Sequence, residues 1–117
     1  MRRRYEYRAA LRHGARVSTR HLTLIVLPSH GQERRLGVSA GRRLGGAVQR
    51  NRVKRLAREV FRRNRELFPS ACDTVILARP GSERLDYASV RVEIAGVAHL
   101  LARAASRATR LERPKSS

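Results

Sequence analysis

Apolar residues follow two different periods along the chain. Residues 21–27, HLTLIVL, form a continuous β-branched apolar run that Pro28 stops, and this predicts a strand. Ser29-His30-Gly31-Gln32 reads as a turn, and residues 35–40, RLGVSA, predict a second strand that returns beside the first. Residues 73–79, DTVILAR, predict another strand, ended by Pro80-Gly81. Between these runs the period is helical. At about 100° per residue, Val53, Leu56, Ala57, Val60, Phe61, Leu67 and Phe68 share one stripe, predicting a helix from Ala47 to Phe68 with Pro69 as its stop. Residues 5–13, YEYRAALRH, predict a short helix closed by Gly14. Asp86 is placed to cap a last helix that runs to Ala105. Residues 106–117 are polar and read as a disordered basic tail. The order helix, strands, helix, strand, helix predicts an α/β sandwich on a mixed sheet, one domain over residues 1–105.

Charge changes this picture more than any other property. Lys and Arg number 27 against 9 Asp and Glu, a net charge of +18. Such an excess speaks of a polyanionic partner, nucleic acid or an anionic membrane surface. No apolar run approaches the roughly 20 residues of a spanning helix, and the N-terminal Met1-Arg2-Arg3-Arg4 has no apolar stretch behind it, as a signal peptide would. Arg dominates over Lys, and its planar fork suits phosphate and base stacking. Cys72 stands alone, so no internal disulfide forms, and a buried inert thiol in a reducing compartment is its expected state.

The basic residues are concentrated on the central helix. Lys54, Arg55, Arg58, Arg62 and Arg65 fall opposite its apolar stripe, and Asn51 joins them from the first turn. A solvated helix face ordinarily mixes both signs. Here like charges three and four residues apart repel one another until an anion neutralises them, so a polyanion-binding face is the better reading. The preceding loop, residues 41–46 (GRRLGG), sets Arg42 and Arg43 beside a helix N-terminus, whose free backbone N–H groups favour phosphate. It is no Walker A loop, because no Gly-Lys-Ser/Thr follows.

Residues 37–62, GVSAGRRLGGAVQRNRVKRLAREVFR, resemble the signature of the bacterial ribonuclease P protein family. The core of the resemblance is Arg50-Asn51-Arg52, followed by Lys54-Arg55 and Arg58-Glu59. Arg42-Arg43-Leu44-Gly45-Gly46-Ala47-Val48 stands where the family has Lys-Lys-x-Gly-x-Ala-Val. The similarity extends over residues 6–103. It implies an α+β fold, a two-layer α/β sandwich like ribosomal protein S5 domain 2, in the order α-β-β-β-α-β-α with the basic helix between strands. It implies that Arg42, Arg43, Arg50, Asn51, Arg52, Lys54, Arg55, Arg58 and Arg62 hold a catalytic RNA. Tyr7, Arg8, Leu11, Arg12 and Ile25 would line a cleft for the single-stranded 5′ leader of precursor tRNA. Leu11 and Ile25 stand where the family often has aromatics. Stacking on a base contributes ~1–3 kcal/mol, so leader affinity is expected to rest more on charge in this chain. The implied function is that of a cytoplasmic protein subunit with two RNA partners, the catalytic RNA and precursor tRNA, and with no membrane or obligate protein partner. Mg²⁺ would be held mainly by the RNA subunit and substrate.

The residues themselves offer no catalytic constellation. The acids are scattered, whereas two-metal nuclease chemistry needs converging carboxylates. Glu59 and Glu66 lie on the basic helix, where pairing with neighbouring Arg is expected. His13, His21, His30 and His99 are isolated and read as surface or structural residues. A ribosomal or other structural RNA-binding protein fits composition and amphipathicity equally well. Only residues 37–62 separate the two readings.

Overall fold

The computed structural model describes residues 12–29 and 34–112. Their strands are β1 (Ala15–Ser18), β2 (Leu22–Pro28), β3 (Arg35–Ala40) and β4 (Cys72–Ala78). Their α-helices are α1 (Ala47–Arg63), α2 (Tyr87–Gly96) and α3 (Ala98–Glu112). Of the predicted first helix, only Arg12 and His13 are described, and both are helical. Residues 15–18 are too few for periodicity to mark, yet they supply the additional strand that the family order implies.

The strands form one sheet in the order β1-β2-β4-β3. The expected return of β3 beside β2 does not occur. Instead β4 lies between them, antiparallel to β2 and parallel to β3. Burial explains the exchange. β4 is CDTVILA, with nearly every residue buried, which suits a central strand covered on both faces. β3 carries Arg35 and Ser39 and tolerates an edge. Its parallel pairing with β4 needs a long crossover, and α1 provides it.

Alternation along the strands divides the sheet into two faces. Val17, Leu22, Leu24, Val26, Val38 and Ile76 point towards the helices and form the main core with Val53, Ala57, Val60, Ile94 and Leu101. Helix α1 packs on β3, α3 packs on β1 and β2, and α2 contacts α1. On the other face Ile25 and Val75 form a second buried cluster, flanked by Leu27 and Leu77. Arg35 and Asp73 pair bidentately at the edge of that face, at 2.8 and 2.7 Å.

Helix α1 ends earlier than its stripe predicts. Asn64 leaves helical geometry at φ −134°, ψ 52°. Its side-chain amide donates to the Val60 carbonyl at 3.0 Å and the Tyr87 hydroxyl at 2.8 Å, and its Oδ1 accepts from Arg91 Nε at 2.9 Å. Asn competes with helix through such side-chain bonds. A 3-10 turn over Arg65–Leu67 then carries Phe68 into the core, where its ring meets Phe61 edge-on with centroids 5.0 Å apart. The stripe thus identified the buried residues but not the break.

The predicted last helix is also two helices. Asp86 caps α2 as expected, its Oδ1 accepting from Ser89 N at 2.8 Å. Gly96, a poor helix former, closes α2. The chain turns at Val97, whose N–H donates to the Ile94 carbonyl at 3.1 Å. Helix α3 continues through residues 106–112, which the sequence reading assigned to a polar tail.

A polar cluster fastens the β1–β2 turn to α2. Glu93 Oε1 accepts from Thr19 Oγ1 at 2.6 Å and from His21 N at 3.0 Å, while Oε2 meets His21 Nδ1 at 2.5 Å. The Arg79 guanidinium donates to the Thr19 carbonyl. His21 is therefore structural, as its isolation suggested. Burial pushes the Glu93 carboxyl up, but hydrogen bonds from Thr19 and His21, with the charge of His21, outweigh it and hold the group below its usual range. A carboxylate with a depressed folded value stabilises above the unfolded value, about 4.3, and loses that contribution as pH falls through the folded value. Glu93→Gln is expected to destabilise by about 1–3 kcal/mol at pH 7. The difference from the parent should shrink below about pH 4. Denaturant unfolding across this range checks it, and a deficit that is constant with pH would contradict the assignment.

Candidate nucleic-acid interface

The loop before α1 is held from inside. Leu44, in the 3-10 turn Arg42–Leu44, is buried in the core, while Arg42 and Arg43 before it are exposed. Gly45 has φ 129°, a backbone region in which a Cβ is strained. Gly46 occupies the N-cap in extended geometry and contributes no side chain, and the first turn of α1 contains no acid. Backbone N–H groups at the helix start therefore lack a side-chain acceptor, and two guanidinium groups stand beside them. That combination suits a phosphate.

Along α1, Asn51, Arg55, Arg58 and Arg62 share an exposed concave strip with Glu59. The sequence spacing placed these residues on one face, and the structure brings them together there. Glu59 pairs with Arg62 and with Arg63 Nε at 2.8 Å. The Arg62 hydrogen bond is the main reason its carboxyl lies below the usual range, against a smaller effect of burial. Among the described residues, no carboxylate pairs with Arg55 or Arg58. They are exposed cations one turn apart on the helix.

Other basic residues assigned to the RNA face have different surroundings. Arg52 is half-buried and donates from Nη1 to the Glu83 carbonyl at 2.9 Å, which fastens α1 to the Ser82–Arg84 turn. It borders the apolar stripe, so helical position alone did not separate it from its exposed neighbours. Arg50 and Lys54 are also half-buried, and Arg50 Nε is enclosed. Arg65 lies beyond the helix, its guanidinium 5.6 Å from the Phe61 ring centroid, and Arg63 stands 5.5 Å from that of Tyr87. The open surface is therefore Arg42, Arg43, Asn51, Arg55, Arg58 and Arg62. Sequence reasoning missed the anchors Arg52 and Asn64 because their partners, Glu83 and Tyr87, are distant in sequence.

Of the residues assigned to the leader cleft, Tyr7, Arg8 and Leu11 lie outside the described residues. Arg12 is exposed. Ile25 lies on the sheet face opposite the main core, but it is fully buried, which makes it part of the apolar packing rather than an open platform. Across the strand pair, Arg16 is in register with Ile25, and Ser18 with Thr23.

No group of three His, Cys, Asp or Glu side chains is gathered to hold a metal among the described residues. His13 and His99 are exposed, and His30 lies outside the described residues. Burial, with a smaller effect from the neighbouring Asp73, pushes the Cys72 thiol up and disfavours the reactive thiolate. No described helix is long and apolar enough to cross a membrane.

This geometry divides the arginines into contacts and anchors. Arg55→Glu is expected not to destabilise the fold and to raise its stability by up to about 0.5 kcal/mol, because it relieves repulsion with Arg58. It should weaken binding to a structured RNA and reduce the salt slope by at least about one phosphate contact. Arg52→Ala is expected to cost about 1–2 kcal/mol of stability. Thermal melts and binding across a salt series test the division, which fails if Arg55→Glu is the destabilising change.

Comparison with known proteins agrees with this arrangement. The family described as Ribonuclease P matches residues 1–104. The Ribonuclease P protein component of Syntrophus aciditrophicus is 38% identical over 94 residues, covering 80% of this chain and 79% of that one. That of Desulfovibrio desulfuricans is 41% identical over 107 residues, covering 88% and 82%. The solved structure of the RNase P protein from Thermotoga maritima superposes with a TM-score of 0.75 at 28% identity, covering 88% of this chain and 94% of that one. The match includes the loop and basic helix described above, and the chain belongs to the ribonuclease P protein family.

Proposed function

We propose that this chain binds the catalytic RNA of ribonuclease P through the loop and exposed strip of α1. On this reading it also holds the 5′ leader of precursor tRNA on the opposite side of the sheet, so that the RNA cleaves the leader. The observation that carries the reading is the strip Asn51, Arg55, Arg58 and Arg62, continued by Arg42 and Arg43 at the start of the same helix. A rigid helix presents these groups at fixed spacing, and phosphate neutralises the repulsion among them. The same composition would serve a ribosomal protein, but family membership favours the ribonuclease P role.

Within this reading the protein supplies position and charge. Arg42, Arg43, Arg55, Arg58 and Arg62 neutralise RNA phosphates, and Asn51 offers a neutral amide to the same strand. Tyr7 stacks on a leader base, and Arg8 and Arg12 attract the leader backbone. Mg²⁺ supplies Lewis-acid chemistry from sites on the RNA and substrate. Among the described carboxylates, Asp73 pairs with Arg35, Glu59 with Arg62 and Arg63, and Glu93 with Thr19 and His21, so these three are held within the fold. The complex acts in the cytoplasm.

The test is reconstitution. The purified, RNA-free protein is expected to leave precursor tRNA intact. With its cognate RNA and Mg²⁺ it should yield the mature 5′ end, and more efficiently than the RNA alone at low salt. RNA-free protein that cleaves at that position would overturn the proposal.

A further inference from the structure

A second basic concavity lies at the far edge of the sheet from α1. It opens between strand β1 and helix α3, and is lined by Arg16, Ser18, Leu100, Arg103, Ser106 and Arg107. Strand β1 is the sheet edge opposite β3, whereas α1 packs on β3. The concavity is therefore separate from the exposed strip of α1. Three features define what it can take. Its charged lining residues are all arginines. Arg103 and Arg107 are exposed and one turn apart on α3, a spacing at which like charges repel until an anion lies between them. Leu100 is 37% exposed at the same place and offers an apolar surface beside two serine hydroxyls. Guanidinium groups, hydroxyls and an apolar patch together match an RNA strand: phosphates on arginine, riboses on serine, and a base on Leu100 or an arginine plane.

The position identifies which strand. Arg16 and Ser18 point to the sheet face that carries Ile25, with Arg16 in register with Ile25, and they also line the concavity. A strand held on that face reaches α3 by crossing the β1 edge. We infer that the β1–α3 concavity binds the upstream nucleotides of the precursor leader, beyond the part held on the sheet face. This rests on the function proposed above and extends it to a leader-length preference set by Arg103 and Arg107.

The test uses reconstituted holoenzyme and two precursor tRNAs, one with a leader of a few nucleotides and one with a leader several times longer. Arg103→Glu/Arg107→Glu holoenzyme is expected to bind the long-leader substrate about tenfold more weakly, with a salt slope reduced by about two phosphate contacts. Affinity for the short-leader substrate and for the catalytic RNA should be unchanged. Arg103→Lys/Arg107→Lys should restore most of the long-leader affinity, which separates charge from misfolding. Equal losses on both substrates, or no loss on either, would overturn the inference while leaving the subunit role intact. A parent protein that fails to stimulate cleavage of either substrate would overturn the subunit role, and the concavity's assignment with it.

Discussion

Repulsion among like charges is the constraint on which the rest of this structure depends. A net charge of +18 is carried on 117 residues with three tyrosines, two phenylalanines and no tryptophan. The opposing term is a core built mainly of Val, Leu, Ile and Ala. Self-repulsion of a highly charged chain disfavours the compact state, and net stabilities of domains are small differences between large terms. The fold manages this by distributing its few acids where they hold elements together. Glu93 fastens the β1–β2 turn to α2, Asp73 binds Arg35 beside the second cluster, and Glu59 links Arg62 and Arg63. Glu93 and Asp73 are thus held in the architecture, while Arg55 and Arg58 of α1 and Arg103 and Arg107 of α3 remain exposed.

Anchoring and binding are accordingly separate tasks for chemically identical side chains. Arg52 reaches the Glu83 backbone carbonyl and fastens α1 to the Ser82–Arg84 turn, while Arg55, three residues on, faces solvent. Asn64 ends the helix and joins it to Tyr87 and Arg91 of α2. In the folded chain these contacts fix α1, and with it the basic strip, against α2 and the Ser82–Arg84 turn. A preorganised surface loses less conformational freedom on binding than a flexible one, which favours an anion that meets Arg55, Arg58 and Arg62.

How much of this was legible in the sequence depended on the range of the interactions involved. The stripe Val53, Ala57, Val60 and Phe68 was legible because helical periodicity is local, and the same periodicity gave the exposed strip. The apolar runs at residues 21–27 and 73–79 marked two strands to within one residue of Leu22–Pro28 and Cys72–Ala78. The insertion of β4 between β2 and β3 was not legible, because pairing depends on which strands best tolerate burial on both faces. The helix ends at Asn64 and Val97 were missed because Leu67, Phe68 and residues 98–105 kept an apolar pattern across each break. Ile25, assigned to the leader cleft from the resemblance, is enclosed, which the sequence could not say because burial depends on packing from distant elements. Which of the nine assigned residues are open to solvent needed the burial of Arg50, Arg52 and Lys54, and the Glu83 partner of Arg52, to be seen.

The balance between cationic repulsion and a modest core can be measured without any RNA. Far-UV circular dichroism of the purified protein across a sulfate titration, against chloride at equal ionic strength, reports the folded fraction directly. An anion that binds only the folded state adds ~2.7 kcal/mol at a hundred times its dissociation constant. Sulfate bridges several donors where chloride only screens. The account predicts weak helical signal in dilute buffer and cooperative gain of helix at modest sulfate, with a smaller gain in chloride. A fully helical spectrum in dilute buffer, unchanged by sulfate, would contradict it and show that the apolar core outweighs the charge unaided.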